Sequence, residues 1–126
     1  MGLIDTRTSR GIGAVRQLPR VHGIALVPEL SLAFTSNGED NTIGSSISLT
    51  TGSYEKPRGD RIRTPSFYDA RPRLIYVADY DGKTATLLDP PSSGMVAILA
   101  LGGKPEHCQA DPESGLVYQD LQAPVR

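Results

Sequence analysis

Three stretches of this chain superimpose when it is slid along itself by 42 residues, and that repeat restricts the fold more than any single motif. Pro28 falls on Ala70 and then on Pro112; Leu32 on Leu74 and Leu116; Phe34 on Tyr76 and Tyr118. Asp69 falls on Asp111, and Asp5 on Asp89, each after an aliphatic pair in "LID" and "LLD". The loop Asn37–Asp40 falls on Asp79–Gly82. The 126 residues therefore hold three periods, and each must be one supersecondary unit that buries its apolar face against the next.

Each period reads as short strands. "VHGIALV" (21–27), "SLAFTSN" (31–37), "RLIYVAD" (73–79) and "TATLLD" (84–89) are rich in β-branched and aromatic residues and bounded by Pro, Gly, Asp or Asn. "GMVAILALG" (94–102) runs into a Gly-Gly turn, and no segment keeps helical apolar spacing over ten residues. We expect four strands per period, with A at 21–27, B at 31–37, C at 42–49 and D before the next A. A period near 40 built of strands and turns is that of a propeller blade. Gly 13 and Pro 10 fit so many turns. The expected fold is all-β, a single partial β-propeller domain over 1–126 of about three four-stranded antiparallel blades. The chain opens on a C–D pair ("GLID", "GAVRQL") and closes on an A–B pair ("EHCQAD", "GLVY"). Unpaired edges and apolar faces are expected at both.

The segment "YVADYDGKTATLLDPPSSGMVAILALGGKPEHCQADPESGLVY" (76–118), with "VHGIALVPELSLAFTSNGEDNTI" (21–43), resembles the YVTN-type, or YncE-like, β-propeller repeat. The resemblance implies a non-enzymatic scaffold binding a ligand or protein, here a fragment of a larger propeller. Propellers carry many unrelated activities, so the repeat type does not fix function. The alternatives are a truncated or decayed copy without independent function, and a fragment of a propeller enzyme of lactonase or dehydrogenase type. Relatives of this repeat are commonly exported, which implies a periplasmic or extracellular location. The start "MGLIDTRTSRG" is no signal peptide, so the chain as written is expected in the cytoplasm.

The middle period departs from the others over 44–67. Ile47 stands where the repeat has Asp, strand D dissolves into a polar, basic stretch, and Pro65 sits where a ladder N–H is expected. Codons for Val-Ile-Asp-Leu (GTC-ATC-GAT-CTC), read one base late, give Ser-Ser-Ile-Ser, which is Ser45–Ser48. Codons for Pro-Asp-Ser-Ile-Leu, shifted likewise, give Arg63–Phe67. Both recoveries keep the 42-residue register, and we read this segment as translated out of frame.

Chemistry-bearing residues are few. His22 and Glu106 are equivalent by the repeat and are expected just before strand A, the innermost strand of a blade. His22, Lys104, Glu106 and His107 are therefore the expected binding surface, at the mouth of the central channel. His22, Glu106 and His107 would converge on a metal only in a closed, narrow ring, and no close-spaced ligand pair exists. We expect no catalytic residue, no metal and no cofactor. His107 and Cys108, adjacent on a strand, point to opposite faces and make a poor base–nucleophile pair. "NGEDN" and "DYDGK" lack the twelve-residue calcium pattern and read as B–C turns. "GGKPE" (102–106) lacks phosphate-loop spacing and reads as a D–A loop. "EKPRGDRIRTP" (55–65) reads as a solvated loop. A net charge of −1 makes nucleic acid an unlikely partner, and no apolar run spans a membrane. The expected partner is an unknown ligand or protein, with the missing blades supplied by a homodimer or by another chain.

Overall fold

The computed structural model describes residues 1–16, 21–37, 42–48, 54–55 and 66–122. Twelve strands follow in chain order: β1 (Gly2–Asp5), β2 (Arg10–Ala14), β3 (Val21–Val27), β4 (Leu32–Asn37), β5 (Thr42–Ser48), β6 (Tyr54–Glu55), β7 (Ser66–Asp69), β8 (Leu74–Asp79), β9 (Thr84–Asp89), β10 (Gly94–Ala100), β11 (Lys104–Asp111) and β12 (Leu116–Gln122). They form two four-stranded antiparallel sheets, β3-β4-β5-β6 and β7-β8-β9-β10, and two hairpins, β1-β2 and β11-β12. The fold is all-β, a partial propeller of three blade-equivalents. The first strands of successive sheets lie against one another, β3 on β7 and β7 on β11. These are the inner strands.

One turn design recurs and explains the repeat's aspartates. Asp5, Asp69, Asp79, Asp89 and Asp111 each end a strand. Their carboxylates accept backbone N–H groups from Arg7 (2.9 Å), Arg71 (3.0 Å), Asp81 (3.0 Å), Ser92 (3.2 Å) and Glu113 (2.9 Å). Four residues after each aspartate the backbone turns left-handed, at Ser9, Arg73, Lys83, Ser93 and Gly115. Asp suits the first position because its short side chain mimics a backbone turn. Glycine occupies only the last of the five left-handed positions.

The blades stack face to face. Ala25, Val27 and Phe34 of the first full blade pack on Ile75, Val77 and Leu88 of the second. The second blade's other face, Tyr76, Ala78 and Ala85 with Phe67 and Leu87 beside them, packs on Cys108. β8 is thus buried on both faces, with Ile75, Val77 and Ala78 at 1% exposure or less. Its sequence, "LIYVAD", is apolar almost throughout, as a strand covered on both sides requires. Ile75 and Val77 each contribute about 1.5–3 kcal/mol by leaving water, and the Ala78 methyl less than about 1 kcal/mol. The hairpin β1-β2 joins through Val15, which packs on Ala33.

Two expectations need correction. Strand D of the middle period has not vanished: Tyr54–Glu55 forms a two-residue fourth strand on Ser46–Ile47. The outer strand of the first hairpin runs over Arg10–Ala14, earlier than "GAVRQL", because Asp5 sets a tight turn and starts the return at once. Residues 38–41, 49–53 and 56–65, which hold most of "NGEDN" and of the segment read as out of frame, lie outside the described residues.

Candidate functional site

The four residues expected at the channel mouth lie within the first residues of inner strands rather than before them. His22 and Glu106, equivalent by the repeat, occupy equivalent irregularities. The β3–β4 ladder slips between Val21 and Gly23, and the β11–β12 ladder between Pro105 and Cys108. An extra residue on one strand of a ladder is a β-bulge, which re-aims side chains. His22, Glu106 and His107 are exposed. Lys104 is half-buried, with its ammonium 4.5 Å from the centre of the Tyr80 ring. The Tyr80 hydroxyl donates to Gln122 Oε1 at 3.0 Å. Lys104 is therefore held by a cation–π contact at the end of the blade, whereas its neighbours face solvent. Among the described residues, no three of His, Cys, Asp and Glu come together as a metal site.

A concavity among the described residues lies at the opposite ends of the inner strands. It is a groove of about 290 Å³ lined by Val27, Glu29, Leu30, Tyr68, Arg73, Asp89, Pro90 and Pro91. Sequence reasoning missed it, because its walls come from turns of two different blades. Glu29 and Tyr68 of its lining are bonded to each other, and Asp89 to a residue of its own turn. The Tyr68 hydroxyl donates to Glu29 Oε1 at 2.5 Å, and Asp89 Oδ2 accepts from the Ser92 hydroxyl at 2.5 Å. The tyrosine bond, aided by Arg73, holds the Glu29 carboxyl below its ordinary range; the same bond raises the Tyr68 phenol. The signal available in the sequence was Tyr68 itself, the aromatic residue where the repeat elsewhere has Leu26 and Ala110.

The Glu29 bond is one of several ties between blades. Tyr76 donates to Gln119 Oε1 at 3.0 Å, and Gln119 Nε2 donates to the His107 carbonyl at 2.9 Å. Arg71 lies near Asp111, whose carboxyl is held low chiefly by its bonds from Ser114 and Glu113 and in part by that guanidinium. Cys108 is buried in this interface, and burial pushes its thiol up to about 11. It stays protonated near neutrality and is no nucleophile there. With His107 exposed and Cys108 buried, the two side chains occupy different environments. The arrangement joins blades, and among the described residues it assembles no set of reacting groups.

No protein-family model matches the sequence, and no curated protein matches it. Among solved structures, a chain of hydrazine synthase from Kuenenia stuttgartiensis is similar, with a TM-score of 0.78 and 17% identity. The match covers 95% of this chain and 35% of that one, so the chain spans about a third of its neighbour's length. At this identity the likeness concerns the fold, and it agrees with a propeller-type fragment.

Proposed function

We propose that this chain is a non-enzymatic scaffold of propeller type, binding a ligand or protein through the inner-strand ends that carry His22, Lys104, Glu106 and His107. One observation carries the reading: ladder irregularities in two different blades fall at His22 and at Glu106, the same repeat position, and both side chains are exposed there. A bulge costs ladder pairing, and such costs concentrate where a side chain is to be re-aimed. The 95% coverage of this chain against 35% of its neighbour supports a fragment of a larger ring, its other blades coming from a second copy or a different chain. Within propellers we group the repeat with the YVTN type on its "YVAD…TATLLD" strands, and with it propose an exported location. The enzyme alternative has no comparable support, since the neighbour's name describes a protein 17% identical.

Thermal-shift screening of the purified chain tests the surface, using a panel of acidic and basic metabolites, short peptides and divalent cations. The screen is repeated on a His22→Ala, Glu106→Ala, His107→Ala variant. A compound that stabilises the parent and not the variant supports the surface. Stabilisation that survives in the variant, or none across the panel, removes it.

A further inference from the structure

We infer that β12 of one copy of this chain pairs with β1 of a second copy, so that β11-β12 and β1-β2 complete a single four-stranded blade. The inference rests on the propeller reading and not on the proposed binding surface. Two of the four sheets stop at two strands, and each has what the other lacks: β11-β12 is an inner A–B pair, and β1-β2 is an outer C–D pair. In both complete sheets strand B pairs antiparallel with strand C, as β4 with β5 and β8 with β9. Among the described residues, β12 pairs only with β11, and β1 only with β2. Each therefore presents one edge without a strand beside it, and such an edge is a template for another strand.

Burial at equivalent repeat positions supports this pairing. Phe34, Tyr76 and Tyr118 share one position. The first two insert into the next blade at 3% and 5% exposure, while Tyr118 is bare at 62%. Ile24 and Cys108 share another: Cys108 is covered by the preceding blade at 8%, and Ile24 stands at 41%. Leu26, beside Ile24 on the same face, is at 51%. That face is the one on which Ala33 meets Val15 of the β1-β2 hairpin, because Leu26 and Ala33 are ladder partners. The hairpin covers Ala33 and leaves the inner strand uncovered. A composite blade would lay Leu116 and Tyr118 of one copy over Ile24 and Leu26 of the other. It would also enclose Ile4 on β1, exposed at 71%. The twelve described strands amount to three blades, so two copies of the 126-residue chain joined at both ends would hold six, within the range propellers adopt. Cyclic two-fold assembly is the commonest closure of a homo-oligomer.

The register follows from the blade already complete. Tyr76 pairs with Leu87, and Ala78 with Ala85. Carried along the repeat, Tyr118 of one copy pairs with Leu3 of the other, and Asp120 with Met1. The test uses the 126-residue chain with Cys108→Ala as background. Leu3→Cys protein and Tyr118→Cys protein are mixed and treated with a short bis-maleimide, while light scattering gives the mass of the untreated parent. The expected result is one species at twice the chain mass, with cross-linking at least tenfold more efficient in the mixture than in either variant alone. Met95→Cys, on the outer strand β10, replaces either partner as control and should not cross-link. Tyr118→Lys, at an exposed position of the single chain, should keep the far-UV spectrum and weaken the dimer at least tenfold. A parent at single-chain mass across the micromolar range overturns the inference, as does a ladder of larger species or equal cross-linking at Met95. A dimer that forms while no panel compound acts through His22 would refute the binding surface and leave this pairing standing.

Discussion

Raising the pH should loosen the interface between the second and third blades before other parts of the fold, because two weak acids are buried together there. Burial, and to a lesser extent the nearby Cys108, push the Tyr76 phenol up to about 12 from 10.0. Burial pushes the Cys108 thiol up to about 11 from 9.0. Between pH 9 and 11 the unfolded thiol has lost its proton while the folded one keeps it; the phenol behaves alike between 10 and 12. Over those windows the unfolded state binds fewer protons, so stability falls as pH rises. The thiol's contribution is whole below pH 9 and gone above 11. Each pH unit of difference is worth about 1.36 kcal/mol, which caps either group near 2.7 kcal/mol across its window. Residual solvent contact, at 5% for Tyr76 and 8% for Cys108, screens part of this, and about 1–2 kcal/mol each is expected. Urea unfolding followed by circular dichroism at pH 8, 9.5, 10.5 and 11.5 measures the total. Absorbance at 240 and 295 nm follows thiolate and phenolate directly. Cys108→Ala should flatten the fall between pH 9 and 11, and Tyr76→Phe the fall above pH 10. The Tyr68 phenol, raised by its bond to Glu29, adds to the slope, so the series is run on a Tyr68→Phe background. If both variants lose stability with pH as steeply as that background, the two acids are not buried together and the blade contact described here is wrong.

Three further outcomes follow from the packing and the turns. Ile75→Ala removes most of a side chain at 1% exposure in the first inter-blade cluster and should cost about 2–5 kcal/mol by urea unfolding; Ile75→Val should cost about 0.5–1.5. Lys83 is left-handed in the β8–β9 turn, where a side chain costs about 1–2 kcal/mol, partly offset by glycine's greater freedom when unfolded, so Lys83→Gly should raise stability by about 0.5–1 kcal/mol. The reverse change, Gly115→Ala, meets nothing closer than Arg71 at 3.7 Å, and so should lose about 1 kcal/mol through backbone strain alone.

The repeat was legible because it is carried by local pattern. Alternation and turn residues located β3, β8 and β9 to within a residue, and the spacing of Asp5, Asp69, Asp89 and Asp111 marked equivalent corners before their role was visible. What the sequence could not show depends on contacts across blades. The bulges at His22 and at Glu106–His107 appear only when each strand is set against its partner, since the extra residue is a property of the pair. The groove beside Tyr68 has walls from Val27–Leu30 and from Asp89–Pro91, about sixty residues apart in the chain. Strand β6 escaped notice because two residues without alternation carry no periodic signal, and its existence is settled by pairing with Ser46 and Ile47.

The same distinction bears on which end of the inner strands does the binding. The groove end is rich in polar groups, yet Glu29 is bonded to Tyr68, Asp89 to Ser92, and Asp111 to Ser114 and Glu113. Those groups already hold protein partners, and a ligand would have to compete with those bonds to engage them. At the other end His22, Glu106 and His107 are exposed, and only Lys104 is committed, to Tyr80. Among the described residues, a partner arriving there displaces water and little else. Substitution separates the two ends. Tyr68→Phe should lower stability slightly and leave any ligand response unchanged, whereas His22→Ala with Glu106→Ala should leave stability within about 0.5 kcal/mol of the parent and abolish the response. A ligand response that vanishes with Tyr68→Phe and survives the double change would move the site to the groove, and the bulges would then be corner devices of the blade alone.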